Sequence, residues 1–235
     1  MVAGNCVRER AAQYAGPMQR VVVAIDGPSG SGKSSVARAV AQEFGLAYLD
    51  TGAMYRAFAW WSLQGHDDMS TCPLRISTEP GPVAIVVADH DVSEAIRGPE
   101  VTERVSLVAA DPRVRAEATR RQREIIEAAP HGIVVEGRDI TTVVAPDADV
   151  RIFLTADLAA REARRAAEFS DPTLAERMRA TIAARDYIDS TREHAPLVQA
   201  DGVVRIDATD MTLPEVIAVV RDLIRSRREE PAHDR

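Results

Sequence analysis

The sequence predicts an α/β fold in which a parallel, doubly wound sheet is flanked by helices. Three observations support that expectation. Short apolar runs rich in β-branched residues recur at 21–25, 132–136, 149–154 and 203–206, with amphipathic helical stretches between them. The first run leads directly into GPSGSGKS at residues 27–34 and then into a helical pattern. At 235 residues and 46% hydrophobic content, the chain suits one domain with an appended lid or insert.

The elements follow in order. Residues 21–25 (VVVAI) have strand length, and residues 35–44 place Val36, Ala37, Val40, Ala41 and Phe44 on one side of a helix. Residues 47–50 form a short strand ending in Asp50, and Thr51 is expected to cap a helix running to about Gln64. The pattern breaks over 66–99, where Pro73, Pro80, Pro82 and Pro99 surround an alternating apolar stretch at 83–88. That predicts a small β insert outside the main sheet. Helical patterning returns at 100–109 and 112–128. Strands follow at 132–136 and 149–154, each with its carboxyl end toward polar sequence. The arginine-rich stretch 157–189 predicts two helices broken near Ser170, Asp171 and Pro172. A last strand at 203–206 and an amphipathic helix at 213–225 complete the set. The expected division is a core at 18–65 and 100–226 with a lid at about 157–189, an insert at 66–99, and flexible tails at 1–17 and 227–235.

The octapeptide fits G-x-x-x-x-G-K-[ST] at Gly27, Gly32, Lys33 and Ser34. Strand, glycine loop and helix in that order define the P-loop NTPase fold. The expected ATP-binding segment is Gly27, Pro28, Ser29, Gly30, Ser31, Gly32, Lys33, Ser34 and Ser35. Its glycines let backbone N–H groups curl around a phosphate, and the helix N-terminus adds partial positive charge. Lys33 is expected to reach the β- and γ-phosphates, and Ser34 to hold Mg²⁺. Lys33 is also the chain's one lysine against 28 arginines. Arginine does not replace a compact, flexible point charge between phosphates. A guanine motif of the N/T-K-x-D type needs a second lysine, so a nucleotide-switch GTPase is excluded.

Composition narrows the partners. A net charge of −7 argues against nucleic acid and membrane surfaces. No apolar run reaches the length of a membrane span, and residues 1–17 lack the apolar centre of a signal peptide. A cytoplasmic monomer is expected. Cys6 and Cys72 match no zinc spacing and are expected to be free thiols. The five histidines form no H-x-x-x-H pair and are expected at the surface. The run Arg120, Arg121, Gln122, Arg123 is expected to be a solvated helix face.

Acceptor chemistry follows from the arginines. A phosphate acceptor needs no carboxylate base, because its second pKa near 6 leaves it largely ionised at pH 7. It needs several cations instead, since two polyanions must meet. Arg56 and Arg138 stand just beyond strand ends, where a parallel sheet presents its ligand crevice. Arg185 and Arg192 flank Asp189 after the expected lid. Guanidinium forks suit phosphate oxygens. Arg161, Arg164 and Arg165 are either part of that set or ordinary surface cations. Glu136 either orients a hydrated Mg²⁺ or pairs with an arginine.

Six segments together resemble bacterial cytidylate kinase: DGPSGSGKS at 26–34, LDTGAMYR at 49–56, DVSEAIR at 91–97, PRVR at 112–115, VEGRDI at 135–140 and RDYIDSTR at 185–192. They occur in that family's order and cover about residues 20–225. The resemblance implies that Arg56, Arg138 and Arg192 grip the acceptor phosphate. It implies that Ser106, Arg115 and Asp139 read the cytosine edge, that Arg185 and Asp189 bind ribose hydroxyls, and that Asp50 and Thr51 form an acidic-hydroxyl pair at the acceptor pocket. The 66–99 insert would be the enlarged acceptor-binding domain. The chain departs from the family pattern at Thr51 (serine is common), Thr141 (glycine is usual), Ala145 (a bulky apolar residue is usual) and Ile188 (an arginine can occur). The departures flanking the acceptor site are expected to loosen it.

The implied activity is ATP-dependent, Mg²⁺-assisted phosphorylation of CMP and dCMP to CDP and dCDP, with Lys33, Arg56, Arg138 and Arg192 carrying the transfer. A shikimate-type or thymidylate-type kinase is the alternative enzyme, with Asp50 as base for a hydroxyl acceptor. A nucleotide sensor without turnover is the non-enzymatic one. In steady-state kinetics, Lys33→Ala is expected to retain less than a tenth of wild-type kcat, because charge stabilisation in the transition state is removed. A variant above that level would exclude the phosphate-bridging role.

Overall fold

The computed structural model describes residues 19–167 and 171–229; residues 1–17, with Cys6, lie outside them. Five parallel strands form the central sheet in the order β2-β6-β1-β7-β8. Strand β1 is Val21–Asp26, β2 Ala47–Asp50, β6 Gly132–Gly137, β7 Val150–Thr155 and β8 Val204–Asp207. Helices α1 (Lys33–Phe44), α2 (Thr51–Leu63), α3 (Pro99–Ala110), α4 (Pro112–Ala128), α5 (Leu158–Ala166), α6 (Pro172–Thr191) and α7 (Leu213–Glu229) connect and cover it.

Strand β1 lies at the centre and is buried at every residue. Its alternation sorts the core into two faces. Val21, Val23 and Ile25 join the cluster built with α1, α2 and α7. Val22 and Ala24 join Ile126 of α4, Ile133 and Val135 of β6, and Ile140 and Val144 beyond it. Both faces are covered, which is why the strand reads as a continuous apolar run.

The insert is a separate antiparallel sheet of β3 (Leu74–Ile76), β4 (Ile85–Val87) and β5 (His90–Asp91). It is not a detached module. Val83, Ile85, Val87, Val92 and Ile96 pack into the main core, and the Tyr48 N–H of β2 donates to Thr78 O at 2.8 Å.

Several local expectations change. The cap of α2 is Asp50, whose carboxylate accepts from the Ala53 N–H at 2.9 Å. Thr51 is the first helical residue instead, and its hydroxyl donates to Glu136 O at 2.8 Å. Helix α1 begins at Lys33, two residues early, and α7 continues to Glu229, past the expected boundary at 226. A π-helical turn at Ile140–Val144 was not foreseen. The arginine run on α4 is only partly a solvated face. Arg120 is exposed and paired with Glu117 and Glu124. Arg121, however, donates to the carbonyls of Met69, Ser70 and Cys72 at the start of the insert. Gln122 is buried, and Arg123 donates to Val143 O and Val144 O. His66, His90, His131 and His194 are exposed, and Cys72 is a buried free thiol.

The P-loop enters against β7 with no room to spare. A Cβ on Gly27 (φ 153°) would stand 1.9 Å from Leu154 O. Gly45, which ends α1 at φ 63°, has nothing within 4 Å of its own Cβ position. Gly45→Ala is therefore expected to lose about 1 kcal/mol from backbone strain alone. Gly27→Ala should lose at least ~2 kcal/mol more, since strand and loop must part. Urea unfolding midpoints in that order would bear this out; equal midpoints would not.

Candidate active site

Residues at or just beyond the carboxyl ends of β1, β2, β6 and β8 line one cavity of about 680 Å³. A crevice outside the carboxyl ends, beside a point where strand order reverses, is where open α/β sheets bind ligands. The P-loop forms one wall. Ser29, Gly30, Ser31, Gly32, Lys33, Ser34 and Ser35 line the cavity, while Gly27 and Pro28 lie behind it. Positive φ angles at Gly30 (74°) and Gly32 (94°) bend the loop around the space. Lys33 is buried, and its Nζ donates to Pro28 O at 2.8 Å, within its own loop. Burial, and then Arg138 nearby, hold its pKa well below the ordinary lysine value.

Glu136, the penultimate residue of β6, faces the start of α1. It accepts from Ser34 Oγ at 2.5 Å and from the Tyr48 hydroxyl at 3.2 Å. Burial, and then the nearby Asp50 carboxylate, raise its pKa. Its hydrogen-bond partners here are a serine and a tyrosine, not an arginine. A hydroxyl and a carboxylate side by side at the cavity are hard oxygen donors of the kind Mg²⁺ takes when phosphates and waters complete its shell.

The opposite wall is an alternating chain of buried charge. Arg115 of α4 is bound to Asp139. Asp139 Oδ1 lies 3.8 Å from Arg192 Nη2 at the end of α6. Arg192 Nη1 lies 3.6 Å from Asp189 Oδ1, and Asp189 Oδ2 accepts from Arg138 Nε at 2.8 Å. Three cations and two carboxylates thus run in sequence around the cavity. Arg192 Nη2 is buried and donates no hydrogen bond among the described residues. Burial, and then the neighbouring Arg115, lower its pKa. Arg56 of α2 donates to Ile96 O and Thr102 Oγ1, which fixes it at the same rim.

The cavity lining includes Asp50, Thr51, Arg56, Ser106, Arg115, Glu136, Arg138, Asp139, Asp189 and Arg192. Sites called from six separate segments therefore meet in one place. The side chain of Arg185 lies outside the described residues. Arg164 and Arg165 line the cavity; Arg164 donates to Ala208 O at 2.6 Å. Arg161 has a different place. It donates to Ala156 O, to Ser29 O and to Asp186, while the Ser29 N–H donates to Asp186 Oδ1 at 3.2 Å. It is neither a surface cation nor part of the cavity lining, and it ties the P-loop to α5 and α6.

Three sets of residues escaped sequence inspection. Ala208, Met211, Leu213 and Val216 form an apolar wall beyond β8. Tyr48 braces Glu136. Asp26, fully buried, accepts from the Ile140 N–H, the Thr141 N–H and the Thr141 hydroxyl at 2.7–2.8 Å. One signal existed for the last: Asp26 is the single charge on an otherwise apolar strand. Thr141 therefore does not loosen this region; its hydroxyl adds a hydrogen bond to it. Ile188 is partly exposed, and Ala145 packs beside the smaller core cluster.

Comparison with known proteins follows the same lines. The family model described as "Cytidylate kinase" matches residues 23–226. The protein named "Cytidylate kinase" of Streptomyces griseus is 48% identical over 88% of this chain and 94% of its own length. That of Streptomyces avermitilis is 46% identical over 88% and 94%, and that of Lactiplantibacillus plantarum 45% identical over 89% and 97%.

Arg192 leaves one buried donor unused but also pairs with Asp139 and Asp189 and donates to Ala195 O, so its effect on the stability of the empty protein has terms of both signs. Arg192→Met is expected to cut the stabilisation given by inorganic phosphate by at least half, measured against its own apo melting temperature. Full phosphate stabilisation would contradict that assignment.

Proposed function

We propose, from the premise that this chain belongs to the cytidylate kinase family, that its cavity phosphorylates CMP and dCMP with ATP by direct transfer between two phosphate sites. The observation that supports this most is the charge chain Arg115, Asp139, Arg192, Asp189 and Arg138 facing the P-loop across one space. A hydroxyl acceptor would have no use for so many cations.

The P-loop side takes ATP. Backbone N–H groups and the α1 N-terminus cradle its phosphates. Lys33 gives up Pro28 O and moves onto the phosphate oxygens, which favour its charged form. The apolar wall of Ala208, Met211, Leu213 and Val216, with Arg164 and Arg165, lies where the far end of the donor nucleotide would rest. Ser34 and Glu136 would hold Mg²⁺, which neutralises charge on the phosphate oxygens when bound.

The other side takes the acceptor. The acceptor phosphate draws Arg138 and Arg192 away from Asp189, and Arg56 closes the rim. An ionised phosphate oxygen then stands ready to attack without a base. Asp50 is not needed as one, and its carboxylate is already engaged as the α2 cap. Asp139 is held by Arg115 so that its carboxylate faces the acceptor base. It accepts from the N4 amino group of cytosine; the uracil carbonyl at that position would meet it lone pair to lone pair. Sites built to pair a substrate amino group reject analogues lacking it strongly.

Water competes with any acceptor, so the site must close. The insert at 66–99 is the acceptor-binding part and the segment at 157–189 the lid. No described helix is long and apolar enough to cross a membrane. A monomer acting in the cytoplasm fits this chemistry.

ADP release in a coupled assay across CMP, dCMP, UMP, AMP, dTMP and shikimate tests the assignment. CMP and dCMP should be the best acceptors, and Asp139→Ala should raise KM for CMP at least tenfold more than KM for ATP. No turnover with CMP, or faster turnover with shikimate, would overturn the function. Equal effects of Asp139→Ala on both substrates would remove Asp139 from the base pocket.

A further inference from the structure

The ladder between β1 and β6 ends at the pair Asp26 and Gly137. Arg138 and Asp139 follow immediately, so they project past the point where the sheet can hold their backbone. The next fixed points are Ile140 and Thr141. Both are held by the Asp26 side chain. Asp26 Oδ1 accepts from the Ile140 N–H at 2.8 Å. Its Oδ2 accepts from the Thr141 N–H and the Thr141 hydroxyl, each at 2.7 Å. A two-residue span that carries two site residues is therefore clamped at both ends by one residue, through its backbone on one side and its carboxylate on the other. The residue after Asp26 is Gly27, which opens the P-loop.

Burial makes this a rigid clamp. Asp26 is fully buried and Thr141 is 1% exposed, so neither can exchange these bonds with water. A buried carboxylate is tolerable only while its acceptors are filled. The turn beyond is tightened by its own bonds: the Val143 and Val144 N–H groups both donate to Asp139 O. Asp139 is thus set by its own carbonyl, by the clamp at Thr141 and by Arg115.

We propose that Asp26 and Thr141 form a positioning pair that fixes Arg138 and Asp139 at a set distance from the P-loop, so that donor and acceptor sites are registered through one strand end. Neither residue touches substrate; both act through the span they hold. The proposal rests on the assignment of Arg138 and Asp139 to the acceptor given above. Thr141 contributes the one bond of the three that depends on a side-chain donor, which makes it separable by mutation from the rest.

Thr141→Val removes the hydroxyl while keeping shape, and Thr141→Ser keeps the donor. Steady-state kinetics with CMP and ATP varied independently, together with thermal unfolding, provide the test. Thr141→Val is expected to raise KM for CMP about five- to tenfold, the size of one ordinary hydrogen bond, with KM for ATP within about twofold. Thr141→Ser should restore wild-type KM for CMP. Asp26→Asn places an amide donor against at least one N–H or hydroxyl donor and should lower kcat as well. Should that variant not fold, the threonine pair still decides. The proposal is overturned if Thr141→Val leaves KM for CMP within twofold of wild type, if KM for ATP rises equally, or if serine behaves like valine. A lower melting temperature without the split in KM would reduce the pair to a structural role. Failure of the functional assignment itself would show separately, as no CMP turnover by the wild-type protein.

Discussion

Two polyanions can meet only where cations have been gathered first, and gathering cations in a buried cavity opposes folding. The charge chain around the cavity reconciles these demands. Arg115, Arg192 and Arg138 would repel one another; Asp139 and Asp189 stand between them as spacers. Each carboxylate of the empty protein lies between two guanidiniums, and under the proposed function an arriving phosphate replaces Asp189 as the partner of two of them. Preorganised charge of this kind requires little rearrangement when negative charge develops on transferring oxygens.

The P-loop follows the same economy on a smaller scale. Lys33 and Glu136 are both buried, and burial drives both toward their neutral forms. Each keeps a partner in the empty protein: a loop carbonyl for the lysine, a serine and a tyrosine hydroxyl for the glutamate. Tyr48 is held in turn, with Arg38 over its ring at 5.6 Å. The loop carbonyl occupies the lysine's donor where the proposed function puts a phosphate oxygen. Both groups are thus held by hydrogen bonds inside the empty site rather than left without partners.

What the sequence made legible was whatever depends on local pattern. Apolar runs marked four of the five strands of the main sheet and the short stretch 47–50 the fifth, Pro172 opens α6 where the break was expected, and the prolines around 66–99 marked the insert. The P-loop was legible because its glycines and lysine are contiguous. The arginines near strand ends were legible because a parallel sheet gathers its carboxyl ends on one side. What remained hidden involves partners far apart in sequence whose match leaves no periodic trace. Asp26 and Thr141 are 115 residues apart. Arg121 and Arg123 looked solvated because a charge run says nothing about which carbonyls lie opposite it. The apolar wall beyond β8 is made of residues ordinary in any core, and only the sheet order brings it to the cavity.

The choice of β1 as the common anchor has a physical reason. It is the central strand, paired on both sides with β6 and β7, and among the described residues no strand of the main sheet is more thoroughly buried. Loops at a cavity must move when ligands enter. Registration between the two phosphate sites must not move, since a displacement of about 1 Å can cost on the order of a hundredfold in rate. The P-loop follows the backbone of this strand end and the Arg138–Asp139 span is held by its side chain, so both are tied to a strand that is paired on both sides and buried throughout.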